Sequence, residues 1–271
     1  MLRDEQGAAG RRGGRSDFVV FCDARTGSYN LTSLLNSADD IVCHGEVFKK
    51  GQIEISEFHR RKLGPRSLAE RNHTAAAFLA ELRGINPFKH FGYKMFASHL
   101  TWAPGAVGYL TARTTKRVIL VRPGLEVYAS GLRARASGVW TNREGRKVSE
   151  KALDTRVEFT RESYETFCVH YNRYVAMCHM LAALPGSFVI HYEQTGDPEV
   201  LDALLAFLGS QTRAADLKSE YRKQFKGRLA EGFSNWRELE AAIDGLPPLG
   251  QGPDPTVPSG ALAVSSAGTG D

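Results

Sequence analysis

The sequence predicts an α/β fold of three layers, with a central, mostly parallel sheet flanked by helices. Two observations carry this expectation. Short apolar runs with β-branched residues recur at 18–22, 41–43, 93–97, 118–121 and 188–191, and they have the length and composition of buried strands. Between them lie stretches with helical patterning at 30–37, 74–83, 125–136, 161–184 and 198–208. Such alternation favours parallel strands joined by helical crossovers.

The chain has 271 residues, of which 42% are hydrophobic and 24% charged, enough for one well-packed domain. That domain is expected over 17–244. Residues 1–16 are rich in Gly and Arg, and residues 245–271 in Pro, Gly, Ser and Ala, so both ends are expected to be disordered. Four cysteines without a C-x-x-C pair suit a reducing compartment rather than a disulfide framework. The N-terminus has no apolar signal-peptide core, and no run reaches the roughly 18 apolar residues of a spanning helix. A cytoplasmic protein is expected.

The formal net charge of +5 suits an anionic ligand. Because the positive residues are dispersed without an aromatic-interleaved basic module, nucleic acid is not an expected partner. The segment 49–71 carries seven Lys and Arg residues with little periodicity. It reads as a solvated loop, or as one that meets the acceptor or a membrane surface peripherally.

The first strand runs into Arg25-Thr26-Gly27-Ser28, followed by Tyr29 and Asn30 at the start of a helix. The first amides of a helix have no intrahelical partner, and the dipole there favours negative charge. Gly27 permits close backbone approach, Thr26 and Ser28 add hydroxyl donors, and Arg25 adds a forked cation. The same residues also suit a plain strand-to-helix turn. A nucleotide P-loop would need Gly-Lys-Ser/Thr where this chain has Gly27-Ser28-Tyr29. The strand 118–121 likewise ends in Arg122 rather than the aspartate of a magnesium-dependent NTPase. No metal is expected.

Arg122 is followed by Pro123, which suits the first turn of a helix, and Ser130 lies eight residues further on. Together Arg122 and Ser130 could hold a second anionic group. Two anion sites fit a donor with phosphate at one end and phosphosulfate at the other.

The segments Phe18-Val19-Val20 through Asn30-Leu31, Ile41 through Phe48, and Arg122-Pro123-Gly124 through Ser130 resemble the sulfotransferase family. They are most similar to the bacterial carbohydrate and glycolipid group of the trehalose and nodulation-factor type, from about Asp17 to Leu239. The resemblance implies a P-loop-like fold and 3′-phosphoadenosine-5′-phosphosulfate (PAPS) as sulfuryl donor, with adenosine 3′,5′-bisphosphate (PAP) as product. It also implies a small-molecule or glycolipid hydroxyl as acceptor. The loop 25–28 would bind the 5′-phosphosulfate, Arg122 and Ser130 the 3′-phosphate, and Tyr192 the adenine. Thr26 stands where the family more often has Ser.

Sulfuryl transfer requires a base for the acceptor proton and positive charge where the leaving phosphate develops. Residues just past the strand ends are the first candidates. Glu46 matches the glutamate proposed as base in the resembling group, although a free carboxyl near 4.3 would need burial or a raised pKa. His99, past the strand 93–97, is the rival. Lys94, inside an apolar strand, either reaches the transferring group or snorkels to water. Lys223 and Arg228 are candidates to close over the 3′-phosphate.

Other chemistries fit less well. Cys168, His170, Cys178 and His179 diverge around their helix and read as core rather than a zinc site. Tyr164, Phe167, Tyr171 and Tyr174 read as the buried stripe of a long helix. A nucleophile elbow and a dinucleotide-binding G-x-G-x-x-G are both absent. The alternatives that stay open are a P-loop-type nucleotide kinase and a non-catalytic donor-binding module.

Overall fold

In a computed structural model, described at residues 15–145, 148, 149, 154–225 and 227–256, five parallel strands form one sheet in the order β2-β3-β1-β4-β5. They are β1 (Asp17–Cys22), β2 (Ile41–Glu46), β3 (His90–Phe96), β4 (Thr115–Val121) and β5 (Ser187–His191). All five sit on the predicted apolar runs. β3 starts earlier than expected, at His90, and Ala97 belongs to the 3-10 turn Ala97–Thr101.

Strand alternation builds the three layers. Val19 and Phe21 of β1 join the core on one face, while Phe18, Val20 and Cys22 join the core on the other, as a two-residue period requires. The second face is covered by α1 (Ser28–Asn36) and by Pro198–Leu208. The first is covered by the helices after β2, by Ala106–Thr111 and by Arg161–Ala182. Tyr171, Tyr174 and Cys178 of that long helix are buried in the core.

The segment 49–71 differs from the solvated loop expected. It contains α2 (Glu57–Leu63) and α3 (Leu68–His73), whose starts are capped by Ser56 and Ser67 accepting from the His59 and Glu70 amides. Two-turn helices leave too short a pattern for periodicity to reveal. Arg71 is fully buried, and its guanidinium donates to the carbonyls of Val47, Lys49 and Gln52. It fixes the chain that follows β2 instead of facing solvent.

Residues 245–256 of the expected disordered tail are instead placed against the body of the chain. Leu246 is buried, the Gly250 amide donates to Asn172 Oδ1 at 2.7 Å, and Thr256 exchanges two 2.9 Å hydrogen bonds with Val189 on the β5 edge. A Cβ on Gly252 would come within 2.2 Å of Val121. Low side-chain bulk here permits close packing, and the segment covers an open sheet edge. Residues 1–14 and 257–271 of the expected disordered ends lie outside the described residues. Among the described residues no helix is long and apolar enough to cross a membrane.

Candidate active site

At the carboxyl ends of the strands lies a cavity of about 640 Å³, where ligands of open α/β sheets gather. Its floor is the turn from β1 into α1. Arg25 and Gly27 both have left-handed backbones, with φ of 70° and 92°. For Arg25 such a conformation costs about 1–2 kcal/mol. At Gly27 a side chain is also sterically barred, because a Cβ would lie 2.3 Å from the Tyr192 ring.

The Gly27 carbonyl accepts from the Asn30 and Leu31 amides. Among the described residues, the amides of Gly27, Ser28 and Tyr29 have no protein acceptor. These donors are what an anion at a helix N-terminus uses. Thr26 differs from expectation: it is fully buried, and its hydroxyl donates to the Asp23 carbonyl at 2.7 Å. It closes the turn. Burial pushes the neighbouring Asp23 carboxyl up to about 6.

The two expected anion sites are joined through Arg25. Its Nε donates to Ser130 Oγ at 3.0 Å, and its other nitrogens reach the Trp140 carbonyl and Gln224. Arg122 follows β4, donates to the Arg25 carbonyl and pairs with Glu126, both at 3.0 Å, and stacks 4.1 Å above the Tyr192 ring. Tyr192 is therefore held between Gly27 and Arg122.

Arg133, which sequence reading did not single out, lies near these groups. Glu126, Ser130 and Arg133 follow i, i+4, i+7 spacing on the helix Gly124–Ser137, a pattern that could have revealed it. Burial, with Arg122 and Arg133 adding repulsion, pushes the Arg25 guanidinium down to about 10. Arg133 is pushed down to about 10 by burial and by Arg122, and its buried Nη1 has no hydrogen-bond partner among the described residues.

The second part of the site is built by register. Glu46 pairs with Lys94 across β2 and β3, beside an irregularity between His44 and Glu46 that re-aims the strand end. Lys94 Nζ lies 3.2 Å from Glu46 Oε1, and His99 Nε2 lies 3.3 Å from Glu46 Oε2. His99 Nδ1 accepts from the Phe96 amide at 3.2 Å. The proton is therefore assigned to Nε2, facing the carboxylate.

Exposures are 0% for Lys94, 2% for His99 and 7% for Glu46. Of the three, Glu46 lines the cavity. Burial alone would raise its carboxyl, but the His99 hydrogen bond and the Lys94 charge outweigh burial and hold it below the usual range. This differs from the raised pKa expected of a base. Lys94 approaches Glu46 as an ion pair without hydrogen-bond alignment, and its ammonium sits 3.4 Å from the Tyr29 ring centroid. It neither snorkels nor exhausts its donors.

Tyr29 donates from its hydroxyl to Glu54, 3.2 Å from each oxygen, while Glu54 Oε2 accepts the Glu46 amide at 3.1 Å. Sequence reading missed Glu54, since nothing local links it to α1. Asn30 lines the cavity, and its amide donates to Thr195 Oγ1 at 3.3 Å. Lys223 also lines it, whereas Arg228 is exposed and pairs with Glu231. The roof consists of Trp140, Thr141 and Asn142 with Tyr221 to Phe225, joined by an antiparallel bridge between Arg143 and Tyr221.

No family model and no curated protein sequence matches the chain. Among solved structures it is similar to a sulfotransferase from Alicyclobacillus acidocaldarius, at 15% identity and a TM-score of 0.46, covering 86% of this chain and 92% of that one. It is similar to mouse sulfotransferase SULT7A1 complexed with PAP, at 11% identity and a TM-score of 0.49, covering 86% and 82%. The sulfotransferase domain from the curacin biosynthetic pathway is similar at 14% identity and a TM-score of 0.49, covering 92% and 96%.

Proposed function

We propose that this chain is a sulfotransferase that moves a sulfuryl group from PAPS to an acceptor hydroxyl, with a carbohydrate or glycolipid as the acceptor class. One observation carries the reading: a cradle of unpaired amides and clustered guanidiniums shares a cavity with a buried carboxylate held by Lys94 and His99. The cavity lining includes Arg25, Lys49, Arg122, Arg222 and Lys223 against Glu46 alone. That excess of positive charge suits a polyanion. The carbohydrate assignment is favoured by the motif resemblance.

The donor supplies an electrophilic sulfur and a phosphate leaving group. The acceptor oxygen bonds to sulfur as the bond from sulfur to the 5′-phosphate oxygen breaks, and the hydroxyl proton passes to Glu46. Glu46 is the base in this reading because it faces the cavity, whereas both nitrogens of His99 are engaged. His99 positions the carboxylate. Lys94, fully buried and outside the cavity lining, holds the other carboxylate oxygen.

The test is transfer from labelled PAPS to a panel of sugars, glycolipids, phenols and alkyl alcohols, read by mass spectrometry. A sulfated sugar or glycolipid product is expected. Sulfation confined to phenols or alkyl alcohols would overturn the acceptor class, and PAP binding without transfer to any member would overturn the enzyme reading.

A further inference from the structure

Beside the donor cavity, on the side of α1 and the β2 edge, lies a second cavity of about 620 Å³. The two share Tyr29 and Tyr221, whose rings form a tilted pair 5.5 Å apart. Their linings differ in charge. The first has five cations to one carboxylate, whereas the second has Arg60 and Lys218 against Glu54 and Glu220. Most of the rest of the second lining consists of hydroxyl and amide side chains, including Ser33, Ser37 and Gln52.

This composition selects an occupant. A phosphate or sulfate would meet two carboxylates, and a hydrocarbon would cover the charged groups of Arg60, Lys218, Glu54 and Glu220. A neutral molecule rich in hydroxyls could exchange hydrogen bonds with both donors and acceptors, and place an apolar face on an aromatic ring. We propose that the second cavity is a glycan subsite that holds sugar units of the acceptor other than the one being sulfated. This rests on the sulfotransferase reading of the first cavity and narrows its acceptor to an oligosaccharide or an oligosaccharide headgroup.

Glu54 connects the two cavities. It lines the second, accepts the Tyr29 hydroxyl, and holds the Glu46 amide through Oε2 at 3.1 Å. An occupant of the subsite therefore lies one residue away from the carboxylate that faces the donor.

The experiment uses the full chain saturated with PAP, so that the first cavity is filled, and saturation-transfer NMR with maltotriose, cellotriose and N-acetylated chitotriose, all neutral. Gln52→Trp narrows the subsite from its exposed rim, and PAP affinity measured on the same samples reports folding and the donor site. The expected result is binding of at least one trisaccharide, weakened tenfold or more by Gln52→Trp. That affinity should be nearly constant between about 0.05 and 0.5 M salt, as a neutral ligand requires, and PAP affinity should be unchanged by the substitution. Trisaccharide binding that is absent, indifferent to Gln52→Trp, or strongly salt-dependent would overturn the subsite. Loss of PAP binding by the unmodified chain would instead overturn the donor reading.

Discussion

The donor cradle and the Glu46 cluster stand at the same ends of the same sheet, yet they solve opposite electrostatic problems. In the cradle, Arg25, Arg122 and Arg133 gather, Glu126 pairs with Arg122, and among the described residues the backbone amides stay unpaired. Around Glu46, one carboxylate is closed between a buried ammonium and an imidazole. The first arrangement is deficient in negative charge, as a binding site for an anion should be. The second is internally balanced, as a group kept poised before its substrate arrives should be.

Substitutions that separate binding from turnover test this contrast. The largest effect is expected for Glu46→Gln, which should lower kcat by roughly 10² to 10⁴-fold while leaving PAP affinity nearly intact. Normal turnover in that variant, measured with labelled donor, would transfer the base role to His99. Arg122→Ala should act the other way, weakening PAP by about 10 to 100-fold, or about 1.5 to 3 kcal/mol, in calorimetry. Gly27→Ala combines an unfavourable φ of 92° with a collision against Tyr192. A stability loss of about 1–3 kcal/mol in urea titration is expected.

Acidity gives a smaller, signed test. Glu46 has a depressed folded pKa, so its contribution to stability is present above the unfolded value near 4.3 and is lost as pH falls through the folded value. The acid limb of kcat/KM should likewise lie below about 4.3, rather than near the 6.5 of an ordinary histidine. Asp23 runs the opposite way. Its carboxyl is raised to about 6 by burial, so its contribution is greatest in acid and is lost as pH rises through about 6. Asp23→Asn should stabilise the fold modestly above that pH in thermal melts.

The legible parts of the molecule were those written in contiguous residues. The five strands announced themselves as apolar runs, and the left-handed turn at Gly27 came with its own glycine and flanking hydroxyls. Groups whose role depends on distant partners were harder to read. Arg71 looked like one more basic residue until its three backbone acceptors fixed it inside. Thr26 reads as a hydroxyl beside the anion site, and its bond to the Asp23 carbonyl three residues back is visible only in the folded turn. Glu54 touches α1 and β2 through contacts that no local pattern encodes. Composition misjudged residues 245–256 because Pro and Gly also suit a chain laid flat against a helix and a strand edge.

The most direct test of the central claim is a calorimetric titration of the unmodified chain with PAP in the presence of a metal chelator. A cradle of amides and guanidiniums needs no divalent cation, so binding at micromolar Kd or tighter, about −8 kcal/mol, is predicted. The affinity should fall as salt rises. A folded chain that fails to bind PAP, or that binds ATP with magnesium and not PAP, would contradict the account.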